Sequence, residues 1–391
     1  MTPNPSQTLP RPSVYRHFHR IAWLAVALAA CVIIFGAFVR LSNAGLSCPD
    51  WPTCYGKVAW PTAAGQVVDH AATAIRVVDP SKAWREQFHR MIAGTLGVLV
   101  LILALLATRK RPQGWLHVIG ASLAVALAIP LYMRGMHGAA SVLAIAAELL
   151  LLVGALRWSN SDLSRASSLT LAVIIFQALL GMWTVTWLLK PIVVMAHLLG
   201  GLLTFSLLTW MAWRATGIPL RIADAAKLRR LLIIGIALLG IQIALGGWTS
   251  ANYAALACGP EFPKCAGAWW PAHDFREGFV LWRDTLMGHG GVDYEGGVLD
   301  NEARVAIQLA HRLMALLVFG HLLAVSMRLL RNPGLRGWGG LLLGLLLTQI
   351  CLGIANVMLS LPLHVAVAHN AGATGLLFVL VTLLARVRAP D

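Results

Sequence analysis

Four histidines lie near the ends of long apolar segments, where side chains that can carry charge are rare. They are His89, His197, His311 and His369. Ionisable groups within membrane segments are costly and are usually functional. Two imidazoles from two helices of one bundle can ligate a heme iron from both faces, and bundles hold cofactors between facing helices. The pattern therefore predicts two heme sites, each held by two histidines.

The chain contains 13 histidines, and most of them fit a simpler role as interfacial residues near helix ends. His321 and His364 are possible substitutes for His311 and His369, but neither has a counterpart at the matching position of the first half. Zinc would require Cys or carboxylate ligands at short spacing, and none accompanies these histidines in the apolar segments. Recurrence at matching positions favours heme ligation.

Two windows show that the sequence repeats itself. They are 177-QALLGMWTVTWLLKPIVVMAHLLGG-201 and 349-QICLGIANVMLSLPLHVAVAHNAGA-373, and in both Gln comes first, Gly fifth and His twenty-first. The order of features along each half is also the same. We therefore predict a tandem duplication of a four-helix transmembrane bundle, whose copies are parallel because each has an even number of helices.

The outer loops repeat as well. Gly36 precedes Cys48 by the same interval as Gly246 precedes Cys258. The cysteine pairs Cys48/Cys54 and Cys258/Cys265 each fall in one long loop on the side that we assign to an oxidising compartment. Each pair can form a small disulfide loop there, while free thiols or a transient redox pair remain alternatives.

The first half contains an insertion. The interval from His89 to His197 is much longer than the interval from His311 to His369. The excess matches the stretch 112–161, which contains two apolar runs. We therefore predict an extra helical hairpin in the first half, which preserves the orientation of the repeat.

Acidic residues distinguish the two halves. Glu86 lies three residues before His89 on the same helix face, and Gln308 takes the matching place before His311. One half thus has an ionisable group beside its histidine, which favours one catalytic site and one electron-transfer or structural site. Alternatively, Glu86 is a partly exposed carboxylate favoured by the dipole of a helix start. Glu148, in the predicted hairpin, is a second intramembrane acid without an assigned role.

An arginine follows the first histidine of each half, at Arg90 and Arg312. Heme propionates are anionic and lie at the polar edge of the membrane, where a guanidinium can pair with them. Snorkelling of these side chains to lipid headgroups is the alternative.

The chain of 391 residues is 58% hydrophobic and 12% charged, which is typical of a polytopic membrane protein. The predicted spans are 21–39, 88–108, 115–133, 138–157, 167–187, 191–213, 230–250, 303–328, 337–358 and 363–385. Net charge is +15, but the basic residues lie in short loops without interleaved aromatic residues, so we expect no nucleic acid partner. We predict an all-α fold of about ten spans.

Lys and Arg concentrate in the loops of one side, although the loops of the other side are longer. The positive-inside rule therefore predicts cytoplasmic termini and places all four histidines near the outer face. We interpret the first span as retained rather than as a signal peptide. The predicted units are a cytoplasmic tail 1–20, a first bundle 21–213 that includes the hairpin 112–161, a cytoplasmic linker 214–229 and a second bundle 230–386.

These motifs resemble the heme A synthase family in its proteobacterial form. The similarity is carried by 36-GAFVRLSNAGLSCPDWPTCYG-56, 86-EQFHR-90, 177-QALLGMWTV-185 with 197-HLLGG-201, 246-GGWTSANYAALAC-258 with 307-IQLAHR-312, and 364-HVAVAHNAGA-373. It covers nearly the whole chain outside the hairpin, which is the one departure because the family has eight spans.

The resemblance implies an enzyme of the bacterial inner membrane that oxidises the C8 methyl of heme O to a formyl group by successive hydroxylations. The product is heme A for cytochrome c oxidase. By family likeness, His89 and His197 hold the substrate heme O, with Glu86 as the catalytic acid, while His311 and His369 hold a heme b cofactor. The family's cysteine pairs match Cys48/Cys54 and Cys258/Cys265.

The implied partners are heme O, the cytochrome c oxidase assembly machinery, heme O synthase and an unidentified electron donor, and a homo-oligomer is possible. Two histidine ligands leave no open position on an iron. Oxygen activation therefore needs either release of a ligand or chemistry without direct contact between iron and oxygen, and both remain open.

Two other functions explain part of the pattern. A diheme b-type cytochrome that takes electrons from quinol explains four histidines but does not predict the Glu86/Gln308 difference. A transporter with repeated halves predicts helices broken near the midplane, whereas the prolines here fall mostly at helix ends.

Overall fold

The computed structural model describes residues 15–67, 77–161, 163–283 and 292–390, most of which are helical. The part of the predicted N-terminal tail before Tyr15 lies outside the described residues. The helices are α1 (Tyr15–Leu41), α2 (Pro80–Thr108), α3 (Gly114–Met133), α4 (His137–Arg157), α5 (Ser164–Thr186), α6 (Pro191–Thr216), α7 (Ala225–Ala251), α8 (Phe275–Gly278), α9 (Asn301–Leu330), α10 (Arg336–Met358) and α11 (Leu363–Arg386). Two short strands, β1 (Leu220–Arg221) and β2 (Val387–Arg388), pair in parallel.

Every helix except the four-residue α8 is long and apolar enough to cross a membrane, so the described part of the chain contains ten candidate spans. The prediction of an all-α polytopic membrane protein is confirmed. Each predicted span overlaps one of these helices, because an apolar run of about 20 residues has the length that a bilayer requires.

The start of α2 differs from the prediction. The helix begins at Pro80 rather than at residue 88, because Asp79 caps it by accepting hydrogen bonds from the backbone N–H groups of Ser81 and Lys82. Proline at the first helical position supports the same start. Glu86 therefore lies beyond the first turn, where the helix dipole has little effect. Its exposed fraction is only 4%, so it is not the partly exposed helix-start carboxylate of the alternative interpretation.

Helices of the first half form a ring in the order α1, α2, α5, α6, and those of the second half form a ring in the order α7, α9, α10, α11. In each ring the two helices that carry the predicted ligands are diagonal to each other: α2 and α6 in the first, α9 and α11 in the second. This is the arrangement in which side chains from two helices can face each other across a bundle interior.

The hairpin of α3 and α4 lies outside the first ring. Its two helices pack mainly against each other, α4 packs against α5, and α3 has a smaller contact with α2. Side chains such as Leu127, Val142 and Leu156 on its outer surface are exposed, which suits contact with lipid. The ring of four helices is therefore complete without the hairpin.

The two halves meet along α1 and α6 on one side and α7 and α11 on the other. Near one end of this interface, Arg40 donates hydrogen bonds to the Ser250 carbonyl at 2.6 Å and to the Tyr253 hydroxyl at 3.1 Å. At the opposite end, the linker strand β1 pairs with β2 after α11. The segment predicted as a linker, 214–229, thus overlaps the ends of α6 and α7 and contributes a strand.

Candidate functional site

All four predicted ligands share one packing motif, in which the imidazole lies against a glycine of the preceding long helix. The pairs are Gly36–His89, Gly181–His197, Gly246–His311 and Gly353–His369. A Cβ atom built on these glycines would lie 2.8 to 3.2 Å from Cε1 of the ring. Only a residue without a side chain leaves room for the ring at this distance. We call these contacts the glycine cradles.

The predicted ligands of each half lie on helices that face each other across one ring. His89 on α2 and His197 on α6 belong to the first ring, and His311 on α9 and His369 on α11 belong to the second. The structure therefore places one predicted pair in each ring of helices, and iron ligation by these residues stays a prediction.

A glutamine adjoins three of the four histidines. Gln177 donates from Nε2 to the backbone carbonyl of His197 at 2.7 Å. Gln242 donates to the carbonyl of His311 at 3.2 Å, and its Nε2 is also 3.2 Å from Nδ1 of the ring. Nε2 of Gln349 lies 3.3 Å from Nε2 of His369.

Each of these glutamines precedes its cradle glycine by four residues, in 177-QALLG-181, 242-QIALG-246 and 349-QICLG-353. The third copy of the motif, with Gln242, was missed by the sequence comparison, although the same spacing could have found it. In α1 the matching stretch is 32-VIIFG-36, so Val32 takes the position of the glutamine.

Three of the four histidines have a ring nitrogen that is shielded from solvent. Nδ1 of His89, His197 and His369 is buried and has no hydrogen-bond partner among the described residues. In the same part of the chain, no group of three or more His, Cys, Asp or Glu side chains could hold a metal ion alone. Two nitrogen donors per site fit an iron that brings its own four equatorial ligands, as heme iron does.

Two rival histidines have other environments. His321 places Nε2 3.0 Å from the Leu231 carbonyl, and its ring lies next to Gly235 in the interior of α7. His364 is exposed one residue after α11 begins. Neither imidazole lies in a glycine cradle opposite a second cradled histidine. His311 and His369 therefore remain the predicted ligands of the second half.

Glu86 holds the first cysteine loop. Its Oε2 accepts hydrogen bonds from the backbone N–H groups of Ser47 at 2.6 Å and Cys48 at 2.8 Å, and its Oε1 pairs with Arg90. Arg90 in turn donates to the carbonyls of Asp50 and Thr53 at 2.7 and 2.8 Å and to that of Cys48 at 3.1 Å. Glu86 and Arg90, on either side of His89, thus fix this loop against the N-terminal part of α2.

The second cysteine loop has half of this arrangement. Arg312 donates to the carbonyls of Glu261, Pro263 and Lys264 at 3.1, 3.4 and 3.0 Å. Gln308, in the place of Glu86, is equally buried, with an exposed fraction of 4%. Its Oε1 has no hydrogen-bond partner among the described residues. An arginine holds both loops, but a buried carboxylate holds only the first.

Both predicted disulfides are present, Cys48–Cys54 and Cys258–Cys265. Their Cα atoms are 4.7 and 4.4 Å apart. The alternative of free thiols is wrong for the structure described. The contacts that Arg90 and Arg312 make with loop carbonyls were not predicted, because the sequence suggested anions or lipid as partners. Pairing of either guanidinium with a propionate stays a prediction.

Asp50 stabilises the first loop from inside. It accepts hydrogen bonds from the backbone N–H groups of Tyr55 at 2.6 Å and Gly56 at 2.8 Å, and from the Thr53 hydroxyl. Partial burial raises the pKa of this carboxyl, but the hydrogen bonds from Thr53, Gly56 and Tyr55 outweigh it and hold the pKa below its usual value of 3.8. Glu261 makes the matching bond in the second loop, to Gly267 N–H at 2.7 Å.

Glu148 lies on the hairpin, and α4 packs against α3 and α5 rather than within the ring of helices. Its Oε1 is shielded and has no hydrogen-bond partner among the described residues. The structure therefore does not bring this acid into either histidine pair.

The fold and the site define a class: a polytopic membrane protein built from two copies of a four-helix unit, each with a pair of cradled histidines beneath a disulfide loop. Comparison with known proteins identifies the family. The model of the COX15-CtaA family, described as cytochrome oxidase assembly protein, matches residues 19–381, and the chain belongs to this family.

Curated relatives carry one name. The chain is 36% identical over 371 residues to "Heme A synthase" of Shewanella oneidensis, covering 93% of this chain and 96% of the relative. It is 28% identical over 387 residues to "Heme A synthase" of Methylobacterium sp., covering 93% and 89%. It is 25% identical over 393 residues to "Heme A synthase" of Paracoccus denitrificans, covering 94% and 86%.

Proposed function

We propose that this protein is a heme A synthase, an oxidoreductase that converts heme O to heme A. The observation that carries the proposal is the unequal pair of histidine sites, of which only the first has a buried carboxylate, Glu86, three residues before its ligand. Similarity to the Shewanella oneidensis relative over 93% of the chain supports the same assignment.

In this proposal the first pair, His89 and His197, holds the substrate heme O. Successive hydroxylations of its C8 methyl give a geminal diol, and loss of water leaves the formyl group. The shielded Nδ1 atoms of both rings fit this role, because neither nitrogen is occupied by another group of the described chain. The cradles at Gly36 and Gly181 fix the positions of the two rings.

The second pair, His311 and His369, holds heme b. Bound heme b supplies reversible one-electron chemistry. Gln242 and Gln349 adjoin the two proposed ligands, with contacts to ring nitrogens of His311 and His369 at 3.2 and 3.3 Å. Gln308 provides no proton at this site.

Glu86 is the proposed catalytic acid. Its two oxygens already accept from Ser47, Cys48 and Arg90, so a proton that binds there must displace or weaken one of these bonds. Proton uptake by Glu86 and the position of the first disulfide loop are therefore coupled. Arg90 stabilises the ionised form of the carboxyl between proton transfers.

We place the protein in a bacterial inner membrane with cytoplasmic termini and with both heme sites toward the outer face. The distribution of Lys and Arg supports this orientation, and the disulfides suit an oxidising outer compartment. A diheme b-type cytochrome is the weaker candidate, because it leaves the Glu86/Gln308 difference unexplained.

Heme O synthase, the cytochrome c oxidase assembly machinery and a membrane electron donor are the proposed partners, and a homo-oligomer is compatible with them. Transfer of a hydrophobic heme between enzymes favours direct docking with heme O synthase. Crosslinking in nanodiscs followed by affinity capture tests the docking. Repeated absence of the synthase from captured material would count against it.

The function is tested in a bacterial host that makes heme O but no heme A. Hemes extracted from purified wild type, Glu86→Ala and Gln308→Ala are resolved by chromatography and mass. We expect heme A or its hydroxylated precursor in wild type and in Gln308→Ala, and its loss in Glu86→Ala while heme b remains. Heme b alone in every sample, at two per chain, would overturn the proposal in favour of an electron carrier.

A further inference from the structure

A segment of the second half crosses over to the first half. Residues 292–297, shortly before α9, form this crossing segment. The backbone N–H of Tyr294 donates to the Leu188 carbonyl at 3.1 Å, in the turn between α5 and α6. The same segment stays close to its own half, because a Cβ on Gly297 would lie 3.1 Å from the Asn252 carbonyl at the end of α7. Part of the second half therefore lies against the turn that leads into α6.

Tyr294 is buried between two parts of the first half. Its exposed fraction is 4%, and its side chain belongs to an apolar cluster with Leu46, Val185 and Leu189. Leu46 immediately precedes the two residues whose backbone N–H groups donate to Glu86. Val185 and Leu189 lie at the end of α5 and in the turn that follows it. One side chain of the second half thus supports both the backbone that Glu86 binds and the entry to α6.

Trp282 makes a second contact with the same turn. Nζ of Lys190, the residue before α6, lies 3.5 Å from the centroid of the Trp282 ring, a cation–π geometry. The Trp282 ring also meets the Trp187 ring edge to face, with centroids 5.8 Å apart. The Tyr294 hydroxyl donates to the carbonyl of Arg283 at 3.0 Å, which joins the two contacts.

The matching turn of the second half is less covered. Leu189 and Lys190 have exposed fractions of 6% and 7%, whereas Leu361 and Pro362, at the same places in the repeated windows, are half-buried. Leu359, which matches a tryptophan of the first half, is 61% exposed. The crossing segment therefore adds to the difference between the two halves.

We infer that Tyr294 and Trp282 are positioning residues of the first site, supplied by the second half. They act through the turn before α6, the helix of His197, and through Leu46, beside the backbone that Glu86 binds. The inference rests on the proposed function, in which this site holds the substrate. Placement matters there, because a displacement of about 1 Å can reduce a rate by about 100-fold.

The test compares heme-loaded wild type with four variants: Tyr294→Ala, Tyr294→Phe, Trp282→Ala and Trp269→Ala. Trp269→Ala is the matched control, because this tryptophan of the same loop is 70% exposed. Extracted hemes report heme A formation. Paramagnetic resonance spectra of the ferric hemes report the orientation of the axial rings, and spectra of His197→Ala and His369→Ala assign each signal to its site.

We expect Tyr294→Ala to lower heme A formation by roughly tenfold or more and to change the first-site signal, while the second-site signal stays the same. Tyr294→Phe should restore both readouts, because it keeps the ring and the hydroxyl contacts only Arg283 of its own loop. Trp282→Ala should show a smaller loss of the same kind. Trp269→Ala should resemble wild type.

Normal heme A formation and an unchanged first-site signal in Tyr294→Ala and Trp282→Ala would overturn the inference. Equal changes in both signals would also overturn it, because they would indicate a general loss of structure. If Tyr294→Ala binds no heme, Trp282→Ala decides by the same criteria, since that side chain is 51% exposed. Heme A missing from every chain, with the first-site signal still changed in the variants, would overturn the synthase proposal and leave the inference standing.

Discussion

The two halves of the molecule share one architecture but differ in side chains around the first histidine. Both have a ring of four helices, two glycine cradles, an arginine that binds loop carbonyls and a disulfide loop above the first histidine. Among the differences between them are Glu86 against Gln308 and Val32 against Gln242. The first half gains a carboxylate and loses an amide. On the proposed function, the carboxylate of Glu86 is what distinguishes the reactive site from the cofactor site.

The largest effect should come from removing a ligand in one half at a time. His197→Ala should lose heme O from the first site and abolish heme A formation, while heme b stays at full occupancy. His369→Ala should lose heme b instead. Heme extraction and quantification per chain measures both. His364→Ala is the control, since this exposed ring lies five residues earlier on α11. Loss of both hemes together in each variant would contradict two independent sites.

Exchange of Glu86 for the residue of the second half tests the origin of the asymmetry. Glu86→Gln keeps the shape and removes the proton chemistry, so heme A formation should fall by about 100-fold or more, the usual contribution of a general acid. Gln308→Glu should leave heme A formation unchanged, because in the proposal the second site holds heme b and not the substrate.

Turnover of extracted heme O to heme A in single-turnover assays checks this pair of variants. Folding is followed in parallel by the absorbance of bound heme b, which should not change. Normal activity in Glu86→Gln would show that the carboxylate serves only to hold the backbone of Ser47 and Cys48.

The cradles allow a graded comparison. Gly36→Ala adds a methyl group 2.8 Å from the His89 ring, whereas Gly246→Ala adds one 3.1 Å from the His311 ring. Overpacking costs about 1–3 kcal/mol, so heme occupancy in the first site should fall by roughly tenfold, and by less in the second. Gly94→Ala in α2 is the control, because a Cβ there meets nothing within 4 Å. A stronger effect of Gly246→Ala than of Gly36→Ala would contradict the order of the two contacts.

The smallest expected effect concerns pH and the first loop. The folded pKa of Asp50 lies below 3.8, so its hydrogen bonds contribute stability fully above that value and lose it as pH falls through the folded pKa. Asp50→Asn should therefore lower the thermal midpoint slightly, by roughly 2 °C, at neutral pH. The difference from wild type should stay constant down to about pH 5 and shrink only below about pH 4.

Thermal scans of detergent-solubilised protein at fixed rate and several pH values measure this difference. Thr53→Val, which removes the hydroxyl donor to Asp50, is the matched control and should show a smaller shift with the same pH profile. A difference that grows as pH falls would contradict a lowered pKa.

Much of the fold could be predicted because a bilayer imposes a simple rule on sequence. Apolar runs long enough to cross it predicted all ten spans of the described residues, while the pairing of the histidines as ligands stays a prediction of the internal repeat. The start of α2 could not be placed from hydropathy, since its first turns are polar and their helicity depends on the Asp79 cap and Pro80. Consequently Glu86 was placed at a helix start, when it is buried beyond the first turn.

The candidate site was predictable only as far as a residue's role depends on its type and spacing. Four histidines, two cysteine pairs and the Glu86/Gln308 difference follow from the sequence alone, because metal-ligating and ionisable residues are rare in apolar segments. Only the tertiary structure shows the hydrogen-bond partners of these residues and of the arginines beside them. Arg90 and Arg312 bind carbonyls of loops that are distant in sequence, and hydrogen bonding to a backbone carbonyl leaves no signature in residue type. That Val32 takes the place of a glutamine beside a histidine is visible only once Gly36 of α1 is packed against His89. A valine in a membrane helix is otherwise one apolar residue among many.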